Sequence, residues 1–166
     1  GSEAQSVTTG SGNDTINIVG TNSEALFTVA TGAGSDTLAI SGGGSVNMLG
    51  GFAGLTGIDN VSIGDTATTL IANNDALAIT AGNGGNAITL GSGTQSVTSG
   101  SGADSVALGS GTNIVNTGDG SDTVTGGVAG SDAIDLQGGD DTYTLDASST
   151  GGTVSGGTGG SDTLAI

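Results

Sequence analysis

Carboxylates recur along this chain at a spacing that a coiled backbone would gather into one file. Asp104, Asp122, Asp141 and Asp162 follow one another at intervals of 18, 19 and 21 residues, and Asn86 precedes Asp104 by 18. Glycines stand two and four residues ahead of most of them. Gly10-Ser-Gly-Asn-Asp14-Thr-Ile16, Gly32-Ala-Gly-Ser-Asp36-Thr-Leu38 and Gly118-Asp-Gly-Ser-Asp122-Thr-Val124 are the cleanest copies. Carboxylates beside glycine turns are hard oxygen donors, suited to calcium, which takes about six to eight oxygens at roughly 2.3–2.6 Å. A stacked pair of carboxylates supplies too few. Backbone carbonyls near Gly10, Gly12, Gly32, Gly34, Gly100, Gly102, Gly118, Gly120 and Gly139 are therefore expected to complete the shell, because glycine lets successive carbonyls aim at one point.

The element that must position these turns is legible around them. Residues 81–125 divide without a gap into five nonapeptides, with glycine pairs at Gly82/Gly84, Gly91/Gly93, Gly100/Gly102, Gly109/Gly111 and Gly118/Gly120. Each carries an aliphatic residue at its eighth position: Ile88, Val97, Val106, Val115 and Val124. The same phase runs back through Ile79, Leu70 and Val61 to Phe52, and forward with small slips through Ile134, Tyr143, Val154 and Leu164. Before it the expected rungs are Val7, Ile16, Leu26, Leu38 and Val46, with a register reset at Gly50-Gly51-Phe52-Ala53-Gly54. A second apolar residue often follows two positions on, as in Ile16/Ile18, Leu38/Ile40, Val61/Ile63, Ile88/Leu90, Val106/Leu108 and Tyr143/Leu145, which is the alternation of a strand. Short strands separated by glycine turns would alternate between two opposed sheets. Two nonapeptides then make one coil of about 18 residues, about nine coils in all, in a rod on the order of 40 Å long. Two aliphatic groups per nine ordered residues leave such a coil dependent on its turns.

A nonapeptide of the form G-G-x-G-x-D-x-U-x, with U a large aliphatic, resembles the repeat of the RTX (repeats-in-toxin) family. The resemblance implies an all-β fold, a right-handed parallel β-helix or β-roll solenoid that binds several calcium ions. The resemblance covers most of the chain, without a slip only in residues 81–125, and the expected fold is a single domain, residues 1–166, with irregular coils in 1–48, metal-poor coils in 49–80 and the nonapeptide coils in 81–166. Asp14, Asp36, Asp104, Asp122, Asp132, Asp141 and Asp162 are the expected metal ligands, with Asn86 and Asn113 as weaker ones. Asp119 and Asp140 share the same turns, as added ligands or as solvated side chains. Within 81–166, Asn86, Asp104, Asp122, Asp141 and Asp162 form one acidic edge, while Gln95, Asn113 and Asp132 form a poorer one, so metal should favour the first. Asp59, Asp65 and Asp75 read as solvated.

Composition narrows the partners. The 166 residues hold no Lys, Arg or His against 16 acidic groups, a formal charge of −16. Without cationic side chains nothing neutralises phosphate, so anionic membranes are poor partners, and neither nucleic-acid binding nor direct membrane insertion is expected. Absence of Cys and His removes thiolate sites, zinc constellations and a Ser-His-Asp triad. The glycine-rich stretches lack the lysine of a phosphate loop. Paired carboxylates of the glycosidase kind have no basic helper, and no enzymatic activity is expected. No apolar run approaches a membrane span, and Gly1-Ser2 opens on neither the basic nor the apolar part of a signal peptide, so the segment reads as cut from something longer. Asn13 and Asn60 head sequons that arise by chance in a Ser- and Thr-rich chain, and Tyr143 is expected to pack in the core. Ser35-Asp-Thr-Leu-Ala-Ile40 returns as Ser161-Asp-Thr-Leu-Ala-Ile166, read as a strand rung rather than a secretion signal.

The resemblance further implies export in an unfolded state by type I secretion and folding outside the cell on meeting calcium, at a bacterial cell surface. Chelator is expected to leave the chain disordered. The expected function is a calcium-binding structural segment of a secreted surface protein, self-associating in a surface layer or scaffold or packing against neighbouring domains. A stalk or secretion-assisting module of a large adhesin or exoenzyme is the alternative. Stacked Ser92-Gly-Thr94 and Ser110-Gly-Thr112 leave an ice-binding module as a minor one.

Overall fold

A computed structural model describes residues 5–19, 27–49, 55–126, 131–146 and 151–166. Among them the chain forms seventeen short strands, all paired in parallel, and no helix. Strands β1 (Gln5–Thr8) and β3 (Phe27–Ala30) pair with each other. One eight-stranded sheet stacks β2 (Thr15–Val19), β4 (Asp36–Ser41), β6 (Ile58–Ile63), β8 (Leu77–Ala81), β10 (Gln95–Thr98), β12 (Ile114–Asn116), β14 (Ala133–Asp135) and β16 (Thr153–Ser155) in that order. The seven-stranded sheet opposite stacks β5 (Gly44–Asn47), β7 (Thr68–Ile71), β9 (Ala87–Thr89), β11 (Ser105–Ala107), β13 (Thr123–Gly126), β15 (Thr142–Leu145) and β17 (Thr163–Ala165). From β6 onward the chain passes from one sheet to the other at each turn. This is a β-solenoid.

The aliphatic ladder sets the register. Val61, Leu70, Ile79, Ile88, Val97, Val106, Val115 and Val124 alternate between the two sheets and are each at most 1 % exposed. Leu77 pairs with Gln95 and Ser105 with Ala87, so the regular coil is 18 residues long. Later coils lengthen: Ile114 pairs with Ala133, Ala133 with Thr153 and Thr142 with Thr163. Early coils are longer still, since Thr15 pairs with Thr37 and Gly44 with Thr68. They carry a third side, in which β1 stacks on β3 and Ala30 bridges to Thr56. Coils of more than 18 residues at both ends give about seven turns rather than nine. Eight strands at about 4.8 Å make a rod roughly 35 Å long.

The second inward position changes character along the stack. Ile40 and Ile63 fill it in early coils, then Ala81, Ser99 and Thr117, then Leu136, all buried. Both buried hydroxyls are satisfied by stacking: Ser99 donates to the Thr117 carbonyl at 2.8 Å and Thr117 to the Leu136 carbonyl at 2.9 Å. Tyr143 is a core residue, 3 % exposed, and its hydroxyl donates to the Gly126 carbonyl at 3.0 Å. Val29, Met48, Leu55, Ile58 and Leu77 are further core members outside the nine-residue phase. Leu26, Phe52 and the register reset at 50–54 lie outside the described residues.

Candidate metal centre

Each strand begins at or just after a turn, and from Thr68 to Asp141 the polar residues at these junctions are buried in the stack. On the edge entering the seven-stranded sheet these residues are Thr68, Asn86, Asp104, Asp122, Asp141 and Asp162. They are joined into a ladder in which one side-chain oxygen accepts the backbone N–H of the residue one coil earlier. Asn86 N–H donates to Asp104 Oδ1 at 2.6 Å, Asp104 to Asp122 at 2.8 Å, Asp122 to Asp141 at 2.8 Å and Asp141 to Asp162 at 3.2 Å. Asn86 Oδ1 begins it by accepting from Thr68 N–H at 3.1 Å.

The other edge is built alike. Asp14 N–H donates to Asp36 Oδ1 at 2.9 Å and Asp36 N–H to Asp59 Oδ2 at 2.8 Å, and further along Gln95 donates to Asn113 at 3.2 Å and Asn113 to Asp132 at 2.7 Å. Acid is thus not confined to one edge. It lies on the second edge in the early coils and chiefly on the first in the late ones. Asp59, read from sequence as solvated, is exposed yet is a rung of this ladder; its distance of 23 residues from Asp36 was the available signal.

One oxygen of each carboxylate is therefore engaged. The other is the unusual atom. Asp36, Asp104, Asp122 and Asp141 are 0–2 % exposed, and the Oδ2 of each, with that of half-buried Asp14, is buried without a hydrogen-bond partner. A buried charge is expensive unless paired. No Lys, Arg or His exists in the chain to pair it.

Burial, before any other cause, raises the pKa values of Asp122 and Asp141 above the ordinary 3.8, and neighbouring carboxylates add to it: Asp104 and Asp141 for Asp122, Asp162 and Asp140 for Asp141. Hydrogen bonds from the backbone one coil earlier oppose the shift, and for Asp122 the Thr117 hydroxyl nearby does so too. Raised values mean that folding takes up protons. This stabilisation is full below 3.8 and is lost as pH rises through the folded values. The metal-free chain is accordingly expected to gain β structure between pH 7 and about pH 4, read by circular dichroism in chelator. A loss of structure over that range would contradict it.

The turns ahead of the carboxylates are lined by backbone. Gly120 has φ +149°, and a Cβ on it would collide with the Gly102 carbonyl oxygen one coil earlier; Gly139, φ +139°, stands in the same relation to Gly120. Gly32 and Gly34 lie likewise against the carbonyls of Gly10 and Gly12. Stacked carbonyls and orphaned carboxylate oxygens make these turns rich in acceptors and free of cationic side chains. Among the described residues no three acidic side chains converge on one point, so an ion here must draw on the backbone. A hard divalent cation fits that donor set, with Asp104, Asp122 and Asp141 and the carbonyls near Gly100, Gly102, Gly118, Gly120 and Gly139 to hold it. Asp14 and Asp36, with Gly10, Gly12, Gly32 and Gly34, form a second such place.

The remaining candidates are distributed differently. Asp132 and Asn113 are buried on the second edge and Asn86 on the first. Asp162 is exposed in the last described coil. Asp119 and Asp140 face outward; the Asp119 backbone bridges Ser101 and Gly138, and Asp140 Oδ1 accepts from Ser161 N–H at 2.8 Å. Asp65 Oδ1 accepts in the same fashion from Asn83 N–H at 3.0 Å. No protein-family model matches the chain, and no curated protein or solved structure does either.

Proposed function

We propose that this chain is a non-catalytic, calcium-binding structural segment of a secreted bacterial cell-surface protein. The observation that carries the reading is the set of buried, partnerless Oδ2 atoms on Asp104, Asp122 and Asp141 in a chain without a single cationic side chain. Each carboxylate needs a positive charge that only solvent can bring. The likeness of the nonapeptides to RTX repeats supports calcium as that charge. Weak, millimolar sites would leave the acidic coils of a −16 chain, residues 104–146, unordered where calcium is scarce and order them outside the cell, because binding to the folded state alone is folding free energy. A solenoid with two broad parallel sheets and no basic groups suits a scaffold or surface layer, assembled once calcium has screened its charge.

Calorimetric titration with calcium, paired with hydrogen exchange over residues 104–146, tests this. Binding heat and calcium-dependent protection of those coils are expected. Equal protection in chelator and in calcium would overturn the reading. Imaging the calcium-loaded chain addresses assembly: sheets or filaments support the scaffold, and persistent monomers support a stalk or secretion-assisting module of a larger adhesin or exoenzyme.

A further inference from the structure

We infer that the amides of Asn86, Gln95 and Asn113 stand where a cation would, so that the middle of the solenoid closes without metal and the acidic coils order against it. Asn86 holds the ladder place of Asp104 one coil earlier, and its Oδ1 accepts a backbone N–H in the same way. The other atom differs. Asp104 Oδ2 is buried with no partner, whereas Asn86 Nδ2 donates to the Gly82 carbonyl at 3.2 Å and to the Gly84 carbonyl. Those glycines stand four and two residues ahead, as Gly100 and Gly102 do ahead of Asp104. An oxygen in that place meets only acceptors. An NH2 group satisfies them, and the donor at one end of the amide with acceptors at the other fixes its orientation.

Gln95 is longer and reaches back a coil. Its Nε2 donates to the Asp75 carbonyl at 2.7 Å and the Asn73 carbonyl at 3.3 Å, filling the turn that ends in buried Leu77, a residue with no polar group to offer. Asn113 Nδ2 donates to the Gly111 carbonyl at 3.4 Å, and Thr68 Oγ1 to the Thr66 carbonyl at 2.9 Å. Charge is distributed to match. Of the 16 acidic groups only Asp59, Asp65 and Asp75 fall within residues 58–98. Each accepts a hydrogen bond, Asp75 Oδ2 from Asn73 Nδ2 at 2.6 Å. Strands β6 to β10 thus have turns closed by amide and hydroxyl donors, with Gln95 Oε1 the one orphaned buried oxygen among these side chains, and little self-repulsion.

Hydrogen exchange of the whole chain in excess chelator is expected to show protected amides from β7 to β10 and fast exchange from β13 to β15. Uniform exchange along the chain would overturn the inference. Asn86→Asp exchanges the donor for an orphaned oxygen; in chelator it is expected to lower protection of β7 to β10 by roughly tenfold or more, and to add one ion to the calcium stoichiometry. Unchanged protection in chelator would also overturn it. The metal-dependent half rests on the calcium reading, and the two fail separately. A chain that binds no calcium but keeps a protected centre sinks the calcium reading alone, whereas one that binds calcium around an unprotected centre sinks this inference alone.

Discussion

Asp122→Asn is expected to stabilise the chain in chelator and to weaken it in calcium. Asp122 is 1 % exposed, flanked along its ladder by Asp104 and Asp141, and its Oδ2 has no partner. The substitution keeps Oδ1 for the Asp104 N–H and turns the orphaned oxygen into a donor for the carbonyls of Gly118 and Gly120, as Asn86 does for Gly82 and Gly84. Removing one unsatisfied buried group is worth about 1–3 kcal/mol in the metal-free state. In saturating calcium the lost ion reverses the sign, since a ligand at a hundred times its dissociation constant contributes about 2.7 kcal/mol. Thermal or urea unfolding followed in both conditions reads the crossover. Destabilisation by a similar amount in each would mean that the carboxylate serves packing rather than metal.

Gly120→Val is expected to cost roughly 3 kcal/mol or more and to release the coils that follow it. Two effects add. A β-branched side chain is strained at φ +149°, and its Cβ would sit against the Gly102 carbonyl oxygen, 2.8 Å from the carbonyl carbon and 3.1 Å from Asp122 Oδ1. The turns cannot move apart to relieve this, because Gly120 N–H is bonded to the Gly138 carbonyl at 2.7 Å in the next coil. Gly10→Ala is the control: Gly10 opens the same motif, in the place of Gly118, and a Cβ there meets nothing within 4 Å. That variant is expected to change stability by less than about 0.5 kcal/mol. Equal effects of the two substitutions, measured by denaturant unfolding in calcium, would remove the stacking argument.

The core of this fold was open to reading because a coil of two nonapeptides converts sequence period directly into contact. Val61 through Val124 could be assigned inward positions and alternate sheets from spacing alone, and so could the stacking of Asp104 on Asp122. Where the period slips, the inference weakened. Val29 and Met48 lie in coils with a third side, whose length no repeat announces, and the count of nine turns failed because it extended the 18-residue coil to both ends. Asp14 and Asp36 were paired correctly, but their edge was invisible without the strand order.

Sequence by itself determined the solenoid, its inward ladder and the excess of carboxylate over any counter-charge, since period and composition are properties of the chain. Tertiary structure alone decided what each polar rung does. Ser-Asp-Thr-Leu-Ala-Ile places Asp36, Leu38 and Ile40 at 0–2 % exposure between two coils, while the same six residues leave Leu164 59 % exposed in the last described coil. Asp104 and Asn86 differ by one atom in sequence terms; the carbonyls that take the Asn86 donor are local, but its burial and the N–H on its Oδ1 are supplied by the adjoining coil. Burial and hydrogen-bond partners come from neighbouring coils, and no local motif encodes which neighbours those will be.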